Sequence, residues 1–592
     1  MNLPREINDK AKYWSQSETF DTSTRREIQN LIEEENEKEI IDRFYKDLEF
    51  GTGGMRGLMG AGTSRVNIYN VRRVTQALVL YLKTIYGERA MQVAISYDSR
   101  NNSRVYAEVT AEVLAANNIR TLITKNMRPV PMLSFMVRHY KCQAGICITA
   151  SHNPAPYNGY KVYWNGGGQL IPPHDKHIWD FYKEISDYSK IPFLAFAQAC
   201  QRGLVSEIGD ELDQSYFAKL KLLSLFEGNR DLKIVYSPLH GTGIFAVPKG
   251  LEQFGFHDVS IVQEQSQPDG NFPTVASPNP EEYSSLAMAL ELGSSIKADI
   301  ILATDPDSDR LAVVIRENAV WQNFSGNQMG ALLFEYLLSR LKAKNKLPAD
   351  GFTIKTIVTS ELLRDISNSY GLPCEETLTG FKWICDLVER YESGQLSPAK
   401  KFLCGAEESY GFLAGTFVRD KDAILSSVIA TEMLAYYRSL NRTLSEVLDE
   451  LFMRHGFYYE LLETITLPGK DGDERIQFLM KSLRQSPPIQ IGVHPVEFAK
   501  DYLELQMTKR VGSQFVRHAA IDLPKSDVLQ YLCHGVHLTI RPSGTEPKIK
   551  VYLSTVASTK SLAKNDLPRF KQVAAEQAKA LMKNFLSLLA AF

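Results

Sequence analysis

The chain has 592 residues, too many for one hydrophobic core, and ordinary domain sizes make about four domains the expectation. Its 67 basic and 69 acidic side chains nearly cancel, which removes any global electrostatic case for nucleic acid or an anionic membrane surface and leaves room only for a local basic pocket. The 44% hydrophobic and 23% charged content is that of a soluble globular protein.

The opening residues MNLPREINDKAKYW are polar, with no apolar segment behind them, so no secretory signal is expected. No apolar run approaches the ~18 residues that span a bilayer. The best, VTQALVLYLKTIY, is interrupted by polar residues at helical spacing. Residues 21–47 read as an acidic, amphipathic helical lead-in. From 91 to 149 the pattern alternates: QVAISYD as strand, RVYAEVTAEVLAANN as helix, IRTLIT as strand, PMLSFMVRHY as helix and AGICITA as strand. That alternation predicts parallel α/β construction. It restarts at LKIVYSPLHGTGIFAVPKGLEQFGFHDVSIVQE (232–264) and runs to ADIILATDPDSDRLAVVI. A third start follows Gly326 and includes FTIKTIVTSELLRDISNSYG. Three βα segments of similar size predict three related α/β domains. After about residue 440 come helices, a polar stretch with Pro468-Gly469, a hairpin-like HLTIRPSGTEPKIKVYLS and a last amphipathic helix, a smaller α+β domain. The boundaries expected are 1–206, 207–320, 321–440 and 441–592. The seven cysteines form no CxxC pair and read as reduced, mostly buried thiols of a cytoplasmic protein.

The sharpest chemical signal is IILATDPDSDRLAVVI. Asp305, Asp307 and Asp309 alternate between two apolar strands. Carboxylates that close repel one another unless a cation lies among them, and hard oxygen ligands suit Mg²⁺ or Ca²⁺. An EF-hand also begins with alternating Asp, but its sixth position should be Gly and here is Arg310, and its twelfth should be Glu and here is Arg316. Arg310 could hold a phosphate bidentately beside the metal. The bland alternative is a solvated acidic turn.

The apolar run ending at residue 148 gives way to TASHNPAPYNGYK. Ser151 is either a turn residue ahead of Asn153-Pro154 or a hydroxyl presented for phosphoryl transfer. The stretch alone leaves both open. In chain order, however, TASHNP, DPDSDR, GAEESYG and RPSGTEPKIK together resemble the α-D-phosphohexomutase superfamily, the phosphoglucomutase/phosphomannomutase enzymes. The resemblance runs from EFGTGGMRGLMG (49–60) to the C-terminal loop. The length, FGTGGMRG, TLTGFKWI and AEESYG look most like its phosphoglucomutase-2 / phosphopentomutase branch.

The resemblance implies an α/β protein of four domains: three related mixed α/β domains plus a C-terminal α+β domain like the TATA-binding protein, around a central cleft. It makes Ser151 the phosphorylated residue, and Asp305, Asp307, Asp309 and the Ser151 phosphate the ligands of Mg²⁺. The commoner family loop has glycines where this chain has Pro306 and Ser308. His152 and Lys161 match residues near the transferring phosphate and are proton-transfer candidates. Arg310 shares that catalytic site. Arg56, Thr379, Glu407, Ser409 and Lys421 match substrate-contacting positions. Arg541, Ser543, Gly544 and Thr545 match a phosphate-binding loop, with the makings of an anion nest. Taken alone, GAEESYG reads as a helix N-cap with acidic first-turn residues, and RPSG as an ordinary turn.

The implied reaction interconverts glucose 1-phosphate and glucose 6-phosphate through phosphoserine and a bisphosphate, with glucose 1,6-bisphosphate or another sugar bisphosphate as activator. Phosphopentomutase and phosphomannomutase are the alternatives, and a Mg²⁺-dependent sugar phosphatase is the rival of a different class. The expected partners are small-molecule sugar phosphates, with no nucleic acid and no membrane, for a monomer or dimer.

Overall fold

Between Gln92 and Ile148 the chain alternates as its apolar pattern predicts: strand Gln92–Tyr97, helix Ser103–Ala116, strand Arg120–Thr124, helix Val130–His139, strand Ala144–Ile148. The computed structural model describes residues 3–51, 53–467, 470–543 and 548–590. These form two units, each described by itself: 1–323 with 388–393 and 411–435, and 324–387 with 394–410 and 436–592.

The first unit holds two sheets. The larger runs, edge to edge, Phe50–Gly51, Gly54–Leu58, Tyr157–Trp164, Ala144–Ile148, Gln92–Tyr97, Arg120–Thr124 and Val205–Ile208. The last four are parallel to one another, while Tyr157–Trp164 runs antiparallel to Ala144–Ile148 and Gly54–Leu58 antiparallel to it in turn. The sheet is therefore mixed. Every residue of Ala144–Ile148 is buried, as expected of a strand covered on both faces; burying Ile146 and Ile148 stabilises the fold by roughly 1.5–3 kcal/mol each. The smaller sheet runs Val320–Asn323, Leu311–Glu317, Ile300–Thr304, Ile234–Ser237, Val259–Ile261, again with a parallel core and an antiparallel flank.

The acidic lead-in is two helices, Thr22–Glu33 and Glu37–Phe44. Glu35 between them takes φ +52°, and Asn36 caps the second by accepting from the Glu39 amide. An earlier helix, Arg5–Gln16, places Trp14 against Phe20, ring centroids 4.2 Å apart, beside Phe44 and Tyr69.

Asp422, fully buried ahead of the helix Ala423–Ser439, accepts from Tyr216 Oη at 2.6 Å and from the Leu425 amide at 3.0 Å. Burial nevertheless pushes its carboxyl up to about 6, against those two donors. The folded chain thus binds this proton more tightly than the unfolded chain. The contribution is full below about pH 4 and is lost as pH rises through about 6, a change on the order of 3 kcal/mol. Asp422→Asn is expected to flatten the fall of Tm between about pH 4 and 6, as thermal melts over that range would record.

The second unit opens with helix Gly326–Ala343, whose Ser325 and Gln328 form a capping box. Parallel strands Cys374–Thr377, Gly351–Thr356 and Lys401–Glu407 follow, in that spatial order. Its other sheet is antiparallel: Phe457–Thr466, Lys548–Ala557, Val536–Pro542, Leu529–Cys533, His494–Asp501, Gln506–Val511, Gln514–Ala520. Helices Lys470–Gln485 and Leu567–Ala590 cover it through Leu479, Leu483, Met582 and Phe585. The expected hairpin is the pair Val536–Pro542 and Lys548–Ala557, joined in register from Val536 opposite Thr555. All seven cysteines are free, with only Cys200 not fully buried. Among the described residues no helix is long and apolar enough to cross a membrane.

Candidate active site

Ile300–Thr304 ends in the loop Asp305–Arg310 before Leu311–Glu317 returns. Two contacts shape that loop. The Pro306 carbonyl accepts from the Thr242 amide and hydroxyl, both at 2.8 Å. Gly241 must lack a side chain, because a Cβ there would lie 2.4 Å from Pro306 Cα. Ser308 takes φ +55°, the left-handed region where glycine sits without cost. Its hydroxyl, 3.3 Å from Thr242 Oγ1 and within reach of the Asp305 carbonyl, helps a non-glycine residue hold that turn. Asp305 Oδ1 accepts from the Asp309 and Arg310 amides at 3.0 Å each, so the carboxylate itself closes the loop.

The strand Ala144–Ile148 delivers Ser151 to the same place. Ser151 is buried and takes φ +50°. Its amide donates to Thr149 Oγ1 at 2.9 Å, and Thr149 donates to Asp307 Oδ2 at 3.1 Å. The Ser151 hydroxyl donates to Asp305 Oδ2 at 2.7 Å and lies 3.1 Å from His152 Nδ1. Burial and the guanidiniums of Arg310 and Arg56 hold the His152 imidazole well below its usual pKa, so it is neutral.

Two lysines converge on the carboxylates. Lys161, on Tyr157–Trp164, places Nζ 2.7 Å from Asp307 Oδ2 and 3.4 Å from Asp309 Oδ2. Burial works against its charge, but Asp307, Asp309 and Asp420 hold it firmly in the charged form. Lys421 Nζ lies 3.1 Å from Asp309 Oδ2. Arg310 pairs with Glu281 and brings Nε within 3.9 Å of Asp309 Oδ1. Arg56 stands exposed on Gly54–Leu58, opposite Gly159.

One carboxylate oxygen from each of Asp305, Asp307 and Asp309 lies within 4.8 Å of the other two. Asp307 Oδ1 and Asp309 Oδ1 are buried and accept no hydrogen bond. Burial, then the charges of Asp309 and Asp307, push the Asp305 carboxyl far up. Asp309 is raised by burial and Asp307 against the pull of both lysines. Asp307 alone is lowered: burial pushes it up, but Lys161, the Asp305 carboxyl and Lys421 together outweigh burial. Three buried carboxylates ionised together need more positive charge than two ammoniums supply. The donor set, all oxygen, with two oxygens unsatisfied, fits a hard divalent cation.

Three groups in this site escaped the sequence reading. Arg100, buried after Gln92–Tyr97, donates to the carbonyls of Ser151 at 2.5 Å, of Pro154 and Tyr157 at 3.0 Å, and of Asn153. Buried Asp98 balances it at 3.4 Å. Asp420 accepts from Tyr163 Oη at 2.6 Å and Gln169 Nε2 at 2.9 Å and steadies Lys421. Glu281 is the third. Arg100 did carry a signal: DSR follows Gln92–Tyr97, which runs parallel to Ala144–Ile148, at the same end of the sheet as Ser151.

The remaining sequence-predicted residues lie in the second unit. Thr379 and Gly380 follow Cys374–Thr377, and Glu407 ends Lys401–Glu407. The Gly380 amide donates to Glu407 Oε1 at 2.9 Å, which ties the two loops together. Thr379 Oγ1 is buried without a partner. Ser409 sits in a turn ending at Tyr410, φ +61°, so GAEESYG is a strand end and turn rather than a helix N-cap. Arg541, on Val536–Pro542, lies beside Tyr552. The Ser543 amide donates to the Lys548 carbonyl at 2.7 Å. Gly544 and Thr545 lie outside the described residues.

Family profiles for the phosphoglucomutase/phosphomannomutase alpha/beta/alpha domains I, II and III match residues 47–189, 214–318 and 325–455. A phosphoglucomutase of Staphylococcus saprophyticus is 34% identical over 532 residues, 89% of this chain and 94% of that protein. One of Staphylococcus aureus is 33% identical over 531 residues, 89% and 93% of the two chains. A putative phosphomannomutase from Thermus thermophilus superposes with a TM-score of 0.63 at 21% identity, covering 92% of this chain and 99% of its own. The Paramecium phosphoglucomutase pp63/parafusin, in its open form, gives 0.62 at 16% identity, covering 91% and 96%. The last two speak to the fold alone. The three family profiles and the relatives matched over most of the chain make this protein a member of the phosphoglucomutase/phosphomannomutase family, within the α-D-phosphohexomutase superfamily.

Proposed function

We propose that the protein is a phosphosugar mutase that interconverts glucose 1-phosphate and glucose 6-phosphate through a phosphoserine at Ser151 and a sugar bisphosphate. The observation that carries this reading is the Ser151 hydroxyl, 2.7 Å from Asp305 Oδ2, where three carboxylates and two ammoniums converge. Asp305, Asp307, Asp309 and the Ser151 oxygen would hold Mg²⁺, which supplies charge to offset a phosphate on the serine.

A phosphoserine brings nearly two negative charges. Lys161, held cationic, and Arg310 neutralise phosphate oxygens, which is most of what a phosphoryl-transfer site must do. The Oγ–P bond of phosphoserine breaks as a P–O bond to the sugar hydroxyl forms. The proton released by that hydroxyl ends on Ser151 Oγ, and neutral His152, 3.1 Å away, can relay it. Arg100 holds the Ser151 loop in place through its four carbonyl contacts. By resemblance we assign sugar hydroxyls to Glu407 and Ser409, and substrate contacts to Thr379 and Lys421. Arg56 would meet substrate, and Arg541, Ser543, Gly544 and Thr545 the second phosphate. Glucose 1,6-bisphosphate or a similar bisphosphate would prime Ser151. The division at 206, 320 and 440, small sugar phosphates as sole partners, a cytoplasmic location and a monomeric or dimeric state belong to the same proposal.

The test is ³¹P NMR of the purified protein with Mg²⁺ and a trace of glucose 1,6-bisphosphate, run separately on glucose 1-phosphate, ribose 1-phosphate and mannose 1-phosphate. Conversion to the 6-phosphate, fastest for glucose, is expected. Faster conversion of ribose 1-phosphate to its 5-phosphate would make the enzyme a phosphopentomutase. Inorganic phosphate as sole product would overturn the mutase reading in favour of a phosphatase.

A further inference from the structure

We infer that Glu281 is an exchange partner for Arg310: its carboxylate takes the guanidinium when a substrate phosphate leaves, which eases that departure. The inference rests on the mutase reading, in which a bisphosphate must release one phosphate from the serine site and present the other.

Arg310 is fixed at its backbone by the Asp305 carboxylate and approaches Asp309 Oδ1 with Nε. The same Asp305 carboxylate accepts from the Ser151 hydroxyl at 2.7 Å through its other oxygen, so Arg310 stands on the loop that faces Ser151. Glu281 pairs with the same guanidinium. The segment carrying Glu281 is anchored on both sides. Ser277 Oγ donates to the His152 carbonyl at 3.2 Å, and the Asn279 carbonyl accepts from the Glu282 amide at 3.1 Å and from Ser285 Oγ at 2.8 Å. Asn279 Oδ1 also accepts from the Glu281 amide at 3.2 Å. The segment that carries Glu281 is therefore held next to the Ser151 loop by contacts that do not involve Arg310.

A guanidinium fork matches carboxylate and phosphate alike. A phosphate leaving Arg310 would otherwise leave a guanidinium of 19% exposure one close anion short, with Asp309 Oδ1 at 3.9 Å, and its desolvation then opposes release. Glu281 removes that penalty. The pair itself opens readily, since its side chains retain 19% and 29% of their exposure and ion pairs in contact with solvent are weak. An incoming dianionic phosphate displaces a monoanionic carboxylate, and the carboxylate returns as the phosphate turns away. The cost of this arrangement is weaker anion binding.

Sulfate titrated calorimetrically into the full-length protein at fixed Mg²⁺ tests the idea without turnover. Glu281→Gln is expected to tighten sulfate by about tenfold, a change of ~1.4 kcal/mol, and to lower KM and kcat together for the sugar monophosphate. Glu281→Asp, which keeps the charge, should return the sulfate affinity most of the way. Unchanged or weaker sulfate binding by the Gln variant would overturn the inference, as would an Asp variant that behaves like Gln. Tighter sulfate with an unaltered kcat would overturn the role in release. Tighter sulfate in a protein that converts no sugar phosphate would uphold the exchange at Arg310 and defeat the mutase reading.

Discussion

Ser151→Ala is expected to lower kcat by ~10⁴-fold or more while leaving the fold intact, the scale seen when a covalent nucleophile is removed from its site. The hydroxyl is the only part of Ser151 whose loss matters to the chemistry. The backbone contacts that shape the loop, from the Ser151 amide to Thr149 and from Arg100 to the Ser151 carbonyl, survive the change. Alanine and serine adopt φ +50° at comparable cost, so no new strain enters. Two hydrogen bonds disappear, that to Asp305 Oδ2 and that with His152 Nδ1, and with the first goes the donor that favours the ionised carboxylate. The expected picture is a circular dichroism spectrum and Tm close to the unaltered protein, no ³²P transfer to protein from labelled bisphosphate, and no mutase activity. Turnover near the original rate would remove Ser151 from the mechanism.

The legible part of the fold was the part buried on both faces. Ala144–Ile148 and Ile300–Thr304 are uninterrupted apolar runs because neither face meets water, and such runs announce themselves. Tyr157–Trp164 was not read as a strand. Its sequence follows a Pro/Asn-rich turn and carries Lys161, whose polar head only makes sense once Asp307, 146 residues away, is opposite it. Helix Arg5–Gln16 could have been found, since Ile7, Ala11 and Trp14 recur at helical spacing. The site divides the same way. Asp305, Asp307 and Asp309 advertise themselves because they are neighbours in sequence. Ser151 became more than a turn residue only in company with three other motifs. Arg100, Asp420 and Glu281 bind partners 29 to 257 residues distant, and a lone arginine or glutamate in a loop has no local pattern to betray such a bond.

Asp307→Ala should strike both activity and stability, and the two effects can be separated. Asp307 Oδ2 takes the Lys161 ammonium at 2.7 Å and the Thr149 hydroxyl at 3.1 Å, while Oδ1 is one of the two unsatisfied buried oxygens. Truncation leaves Lys161 largely buried with only Asp309, at 3.4 Å, for a partner. Breaking a buried ion pair from one side costs ~3–5 kcal/mol, and the second partner argues for the low end. Asp307→Asn keeps the shape and an acceptor for Lys161, so its Tm should fall much less. Both substitutions remove the same negative charge. Asp305 and Asp309 are raised in part by that charge, so each then ionises more readily, yet the pair offers one carboxylate fewer to a divalent cation. Calorimetry should show Mg²⁺ binding weakened alike in both variants, and kcat should fall ~10³-fold, the equivalent of about 4 kcal/mol of transition-state stabilisation, in both. If Asn retained both Mg²⁺ affinity and turnover, the charge of Asp307 would serve only to seat Lys161. If Ala and Asn lost activity but bound Mg²⁺ unchanged, the triad's role would be to fix Lys161 and the Ser151 loop, and the cation would have to be held elsewhere.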